Sequence, residues 1–149
     1  MFIYYQIYIH IYMLIEYIHG IYGCDINTSL NKDIYKKYNI NIVINCTQLH
    51  GFVDLSIKKI RLPISGDLNF HTDIVILNDN IGKILLFIFN NFLNHSILVV
   101  CESGNTITPI IIGLFIHKYG NIAMNDIKSI LKTKNNSVCI EFDLSIFNI

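Results

Sequence analysis

The stretch from Ser96 to Gly120 constrains this chain more than any other. Ile97 to Val100 is a short aliphatic run, the signature of a strand buried on both faces. CESGNTIT follows as a tight loop that opens on Cys101, and PIIIGLFIHKYG reads as a helix. Gly104 lets the backbone turn where a side chain would not fit. Thr106 or Thr108 can cap the helix, and Pro109 suits a first turn because its missing N–H costs nothing there. A loop of this kind turns several N–H groups inward, and the helix dipole adds partial positive charge. Strand, loop and helix together therefore predict an anion cradle, with Cys101 placed where the field favours a thiolate. The plain structural alternative is a cysteine that ends a core strand, since free cysteine is among the most buried residue types.

The rest of the chain predicts the scaffold for that loop. With 149 residues, one domain with a real core is expected. His19–Cys24, Asn39–Thr47 and Ile57–Ile64 read as strands, and Asn31–Tyr38 as a short helix. Ile74, Leu77, Ile81, Ile84, Leu85, Ile88 and Phe92 recur at helical spacing, after Thr72 as N-cap and Asp73 in the first turn. Asn125–Lys134 is an amphipathic helix, Asn135–Ser137 a turn, and Val138–Ile149 a last, helical element. Strands alternating with helices imply an α/β layer fold with its site at the carboxyl end of a central strand, where Cys101 stands.

Residues 1–18 stand apart as an apolar, tyrosine-rich extension, and residues 19–149 form the domain. The extension lacks a basic n-region and a small-residue cleavage site, and Gln6, His10 and Glu16 interrupt a membrane span. A self-association element, a membrane-facing segment and a first strand or helix packed on its own domain all remain open for it. Net charge is +0, with 11 basic and 11 acidic residues and no basic patch, which disfavours nucleic acid. Cys24, Cys46, Cys101 and Cys139 are dispersed without zinc spacing, so reduced thiols in a cytoplasmic setting are expected, with no metal and no cofactor. A thiol-redox role for Cys101 would need a partner close in space, with Cys46 and Cys139 the candidates. The richness in Ile, Asn, Lys and Tyr suits an AT-rich genome such as that of a large DNA virus.

HGIYGC, KKYNINIVINCT, IKKIRLPISGD and ILVVCESGNTITPIIIGLFIHKYG, in that order, resemble the cysteine-based dual-specificity protein phosphatases, including the poxvirus type. The resemblance covers about residues 19–149. It implies a three-layer α/β phosphatase-like fold, with a central, mostly parallel sheet of about four or five strands flanked by helices. It also implies a nucleophilic mechanism: Cys101 matches the thiolate that attacks phosphorus. Glu102, Ser103, Gly104, Asn105, Thr106, Ile107 and Thr108 match the phosphate loop, Thr108 supplying the hydroxyl that steadies the thiolate. Asp67 matches the general acid, with Asp73 as runner-up.

Two positions depart from the family signature. Val100 replaces its histidine, and Ile107 replaces the arginine whose fork binds the phosphoryl oxygens. Removing one transition-state donor typically costs about 10²–10³ in rate, and here a charged, bidentate donor gives way to an apolar side chain. Arg61, the lone arginine, lies on the preceding strand, and Lys118 stands nearly three helical turns beyond Thr108. The resemblance therefore implies a pseudophosphatase that binds a phosphoprotein or signalling-protein partner; a viral source would place it in the cytoplasm of a host cell or in a virion, and the apolar extension adds the expectation of a homodimer through residues 1–18. The alternative is an active Tyr/Ser/Thr phosphatase in which Lys58 or Lys59 completes the site.

Overall fold

A computed structural model of the chain describes residues 13–65 and 71–149. Its elements run β1 (Ile15–Ile18), β2 (Ile21–Cys24), α1 (Ile26–Ser29), α2 (Lys32–Lys37), β3 (Ile40–Asn45), β4 (Lys58–Arg61), α3 (His71–Asn91), β5 (Ser96–Val100), α4 (Ile107–Gly120) and α5 (Met124–Lys134). A short 3₁₀ turn, Leu144–Ile146, follows.

The strands form one sheet in the order β1-β2-β5-β3-β4. β2, β5, β3 and β4 run parallel, and only β1 joins antiparallel, through the turn at Gly20. Parallel strands need helices on both faces to bury them, and the apolar side chains divide that way. One core joins Ile44, Val99, Cys46 and Cys101 to Leu77 and Ile81 of α3, Ile110 of α4 and Ile127 of α5. The other joins Val43, Leu98 and Val100 to Ile26 of α1 and to Ile34 and Tyr35 of α2. The expected three-layer α/β architecture is present, with five strands.

α4 is apolar all round because it lies between the sheet, α3 and α5. A Cβ on Gly113 would stand 2.7 Å from Ile127 Cγ2 and 2.9 Å from Leu131 Cδ1, so this glycine sets how closely α4 and α5 approach. The helix stops at Asn121, which takes the left-handed conformation (φ 55°) that ends many helices.

Several boundaries differ from expectation. Ile15–Ile18 belongs to the sheet, so the domain starts earlier than residue 19 and the expected extension shrinks accordingly; residues 1–12 of it lie outside the described part. The strand expected over Ile57–Ile64 pairs only over Lys58–Arg61, because β3 offers partners only as far as Asn45. α3 starts at His71, which places Thr72 inside the helix rather than at its cap. Val138–Ile149 forms only the 3₁₀ turn: its apolar side chains Val138, Leu144 and Phe147 are buried at irregular spacing.

Candidate functional site

β5 delivers Cys101 to the carboxyl end of the sheet, and Ile107 starts α4 six positions later. The loop between them is shaped chiefly by the backbone. Gly104 has φ +75°, and a Cβ there would lie 2.8 Å from the Asp25 nitrogen and 2.9 Å from the Cys24 carbonyl carbon. The loop therefore packs directly on the junction of β2 and α1, where only glycine fits. Cys101 N–H donates to the Cys24 carbonyl at 3.4 Å, and Cys46 N–H donates to the Val100 carbonyl at 2.7 Å. Thr108 N–H points at Cys101 Sγ, 3.4 Å away.

Other ties reach the loop from elements distant in sequence. Cys139 N–H donates to the Asn105 carbonyl at 2.8 Å. Asn135 Nδ2 lies 3.1 Å from Asn105 Oδ1 and 3.1 Å from the hydroxyl of Tyr17. Burial pushes the Tyr17 phenol up, the bond from Asn135 pulls it partly back, and the nearby Cys101 charge pushes it up again. Gly23 makes room for this assembly: a Cβ there would meet Thr108 Cγ2 at 2.4 Å and Tyr17 Cε2 at 2.8 Å. Tyr17, Gly23 and Asn135 were invisible as site residues in the sequence. Tyr17 lay in an extension read as separate, and Asn135 in a turn whose dipeptide Asn135-Asn136 signalled only a loop.

The side chains at the two ends of the loop are sunk in apolar surroundings. Cys101 is 1% exposed and Ile107 0%, and both belong to the core formed with α3 and α5. Val100 is buried on the opposite face. A cavity of about 190 Å³ flanks the loop, lined by Gly23–Asp25, Ser103–Asn105, Asn135 and Ser137, and by neither Cys101 nor Ile107. Glu102 and Ser103 are exposed. Glu102 Oε2 faces His50 Nε2 at 3.6 Å.

One expected capping role and one expected hydroxyl contact differ in the structure. Thr106 occupies the N-cap position of α4 but makes no capping bond, since its backbone (φ −122°, ψ −74°) departs from the extended cap conformation. The Thr108 hydroxyl donates to the Val99 carbonyl at 3.2 Å rather than to the sulfur, so the amide of Thr108 is what meets Cys101.

The candidate cations lie elsewhere. Arg61 donates from Nη1 to the Thr47 carbonyl and from Nη2 to the His50 carbonyl, each at 2.8 Å, and its guanidinium stacks on Phe52. Lys58 lies 4.9 Å over the Phe87 ring. It pairs in register with Ile42, which pairs with Ile97, so Lys58 starts its strand at the end remote from Cys101. Lys59 is one position nearer and exposed on the edge strand. Lys118 is exposed on α4 beside Tyr119.

Asp67 lies outside the described residues. Asp73 is 2% exposed, and its carboxylate accepts from the backbone N–H of Ser65 at 3.0 Å and from the Ser65 hydroxyl. It thus fastens the start of α3 to the end of the β4 connection. Among the described residues, no group of three His, Cys, Asp or Glu side chains could hold a metal, and no helix is long and apolar enough to cross a membrane.

A cysteine at the end of a central parallel strand, a glycine-shaped loop and a helix start, within five strands ordered β1-β2-β5-β3-β4, constitute the fold of the dual-specificity phosphatases. Solved structures bear this out. Human DUSP28 superimposes with a TM-score of 0.76 at 7% identity, covering 89% of this chain and 88% of its own. DUSP15 gives 0.77 at 13% identity, covering 89% and 83%. The human tyrosine phosphatase-like serine/threonine/tyrosine-interacting protein gives 0.74 at 11% identity, covering 88% and 89%. At such identities the likeness is one of fold. No protein-family model matches the sequence, and no curated protein matches it.

Proposed function

We propose that this chain is a pseudophosphatase of the dual-specificity type, which binds a phosphoprotein or signalling-protein partner instead of hydrolysing phosphate esters. The observation that carries the reading is Ile107. It takes the place of the phosphate-binding fork and is fully buried in the apolar core. A phosphoryl group brought there would trade water for aliphatic carbon without a charged partner, which is strongly unfavourable. The charges of the loop and of the lone arginine add to the case, because Glu102 is an anion and Arg61 is committed to the Thr47 and His50 carbonyls. Among the solved structures with this fold, one is named as a phosphatase-like interacting protein, in keeping with a binding role.

Self-association through residues 1–18 belongs to the same reading. β1 is an outer strand of the sheet, and a strand edge offers unpaired backbone groups to a second chain. The composition, rich in Ile and Asn, supports a poxvirus-like source and a place in host cytoplasm or virion.

The alternative, an active phosphatase using a phosphocysteine intermediate, draws on the Thr108 N–H aimed at Cys101 Sγ and on the preserved turn at Gly104. Hydrolysis of a small aryl phosphate decides between the two. Native protein and Cys101→Ser are expected to give the same background rate. Turnover that Cys101→Ser abolishes would overturn the proposal. Ile107→Arg and Val100→His/Ile107→Arg, checked for folding by thermal melting, are expected to gain turnover if the lost fork is the cause.

A further inference from the structure

The outer strand β4 leaves backbone groups open beside a groove that is apolar inside and cationic around. Leu62 N–H donates to the Asn45 carbonyl at 2.9 Å and so continues the β3–β4 ladder past Arg61. Main-chain groups alternate in direction along a strand, so Lys58, Ile60 and Leu62 turn theirs to β3. The N–H and C=O groups of Lys59 and Arg61 therefore face outward, and no other described strand pairs with them. Pro63 has no N–H, so the open edge ends with those two donors.

Side chains alternate as well. Ile60 turns towards α3, where it packs on the core. With Ile44, Ile84 and Phe87 it lines a cavity of about 250 Å³ that Lys83 also borders. Lys58 shares the face of Ile60 and lies over the Phe87 ring, while Lys59 points to the other face. All three lysines are exposed. Asp54 and Asp79 are exposed on the flanking elements, yet among the described residues no carboxylate forms an ion pair with any of the three.

This charge decides what can pair with the edge. A second copy laid antiparallel on β4 would set Lys59 and Arg61 against their own counterparts, and like charges across a ladder are destabilising. Lysines commonly guard an outer strand in this way. They attract a strand of the opposite sign instead. We propose that β4 takes an extended, acidic segment of another protein as an added strand. The backbone of that segment bonds the outward groups of Lys59 and Arg61. Its apolar side chains enter the groove beside Ile60 and Phe87, and the acidic ones between them meet Lys59 on the opposite face. Lys58 and Lys83 hold the groove closed to a cationic segment. The surface lies at the other edge of the sheet from β1 and requires no phosphate in the β5–α4 loop, so the proposal holds for an active or an inactive chain.

The test uses the full chain and, as probe, a fluorescent peptide of about ten residues that alternates Glu with Val. Fluorescence anisotropy reads binding, and amide exchange followed by NMR reads its place. The expected result is saturable binding that weakens as salt is raised. With peptide at ten times its Kd, exchange at the Lys59 and Arg61 amides should slow about tenfold, and that at Ile60 and Leu62 should stay as it was. A peptide of the same composition with Glu and Val in two blocks, and one that alternates Lys with Val, should not bind. Lys59→Glu and, separately, Lys83→Glu should each weaken binding about tenfold. Folding of both is checked by circular dichroism, and should one not fold, the other decides. Absence of binding, equal binding of either control peptide, protection at Ile15–Ile18 instead of β4, or unchanged affinity in a folded variant would overturn the proposal. So would slow exchange at Lys59 and Arg61 before peptide is added, since the edge would then already be covered by this chain or by a second copy.

Discussion

Two connections meet at the carboxyl end of the sheet, and they are held by opposite means. The β5–α4 loop depends on backbone shape and apolar packing: Gly104 at positive φ, Gly23 beneath it, Ile107 and Cys101 sunk in the core. The β3–β4 connection depends on polar side chains. Asn45 Oδ1 accepts from both the N–H and the hydroxyl of Thr47, and Arg61 clamps the Thr47 and His50 carbonyls. The chain's only arginine thus serves the β3–β4 connection, while residues 101–106 of the β5–α4 loop include no basic side chain. The shape of the β5–α4 loop needs no charge, because its frame is made by glycines and main-chain contacts, which answer to sterics.

The sharpest way to break this comparison is to attack the frame. Gly104→Ala forces an L-residue into the left-handed region, at about 1–2 kcal/mol. It also drives a Cβ to 2.8 Å from the Asp25 nitrogen, where only movement of backbone can relieve the overlap. Overpacking of this kind adds about 1–3 kcal/mol. A loss of roughly 4 kcal/mol is therefore expected in urea unfolding, and a loss below about 1 kcal/mol would show that the loop is not held against β2.

The next effect concerns the lining. Ile107→Ala should cost about 3 kcal/mol, the middle of the range for deleting a buried aliphatic side chain and leaving a cavity. The reading that Ile107 is a core residue makes this prediction, because a residue lining an open, solvated anion site would lose less than about 1 kcal/mol on truncation. Urea midpoints for the variant and the native chain, at an unchanged m-value, give the difference directly.

What the sequence revealed and what it hid follow the same division. Local patterns were legible: the aliphatic run of β5, the helical spacing of α3 and the glycine turn all lie within a few residues of one another. They were enough for an α/β fold with a loop at a strand end. Long-range polar pairings were not legible. Nothing near Tyr17 announces Asn135, which meets it from 118 residues away. The destination of the Thr108 hydroxyl differs from expectation for a related reason, as the Val99 carbonyl of β5 competes with the sulfur. Asp73 shows the same limit. Its place in a first helical turn was evident, but its partner Ser65 comes from the far side of the preceding loop.

The smallest effect is expected at the polar connection. Arg61 makes two charge-assisted bonds at 2.8 Å and stacks on Phe52, but it is exposed, so solvent screens what a buried pair would contribute. Arg61→Ala should cost about 1–2 kcal/mol, less than either change in the β5–α4 loop. Arg61→Lys should recover less than half of that, since one ammonium cannot hold two carbonyls in the planar geometry of a guanidinium. The loss should be local. Asn45 Nδ2 still reaches the His50 and Gly51 carbonyls, so amide hydrogen exchange should accelerate over residues 47–52 while β5 stays protected. If protection fell equally at Val99 and Val100, the two connections would be one cooperative unit, and the contrast between a backbone-held loop and a side-chain-held one would fail.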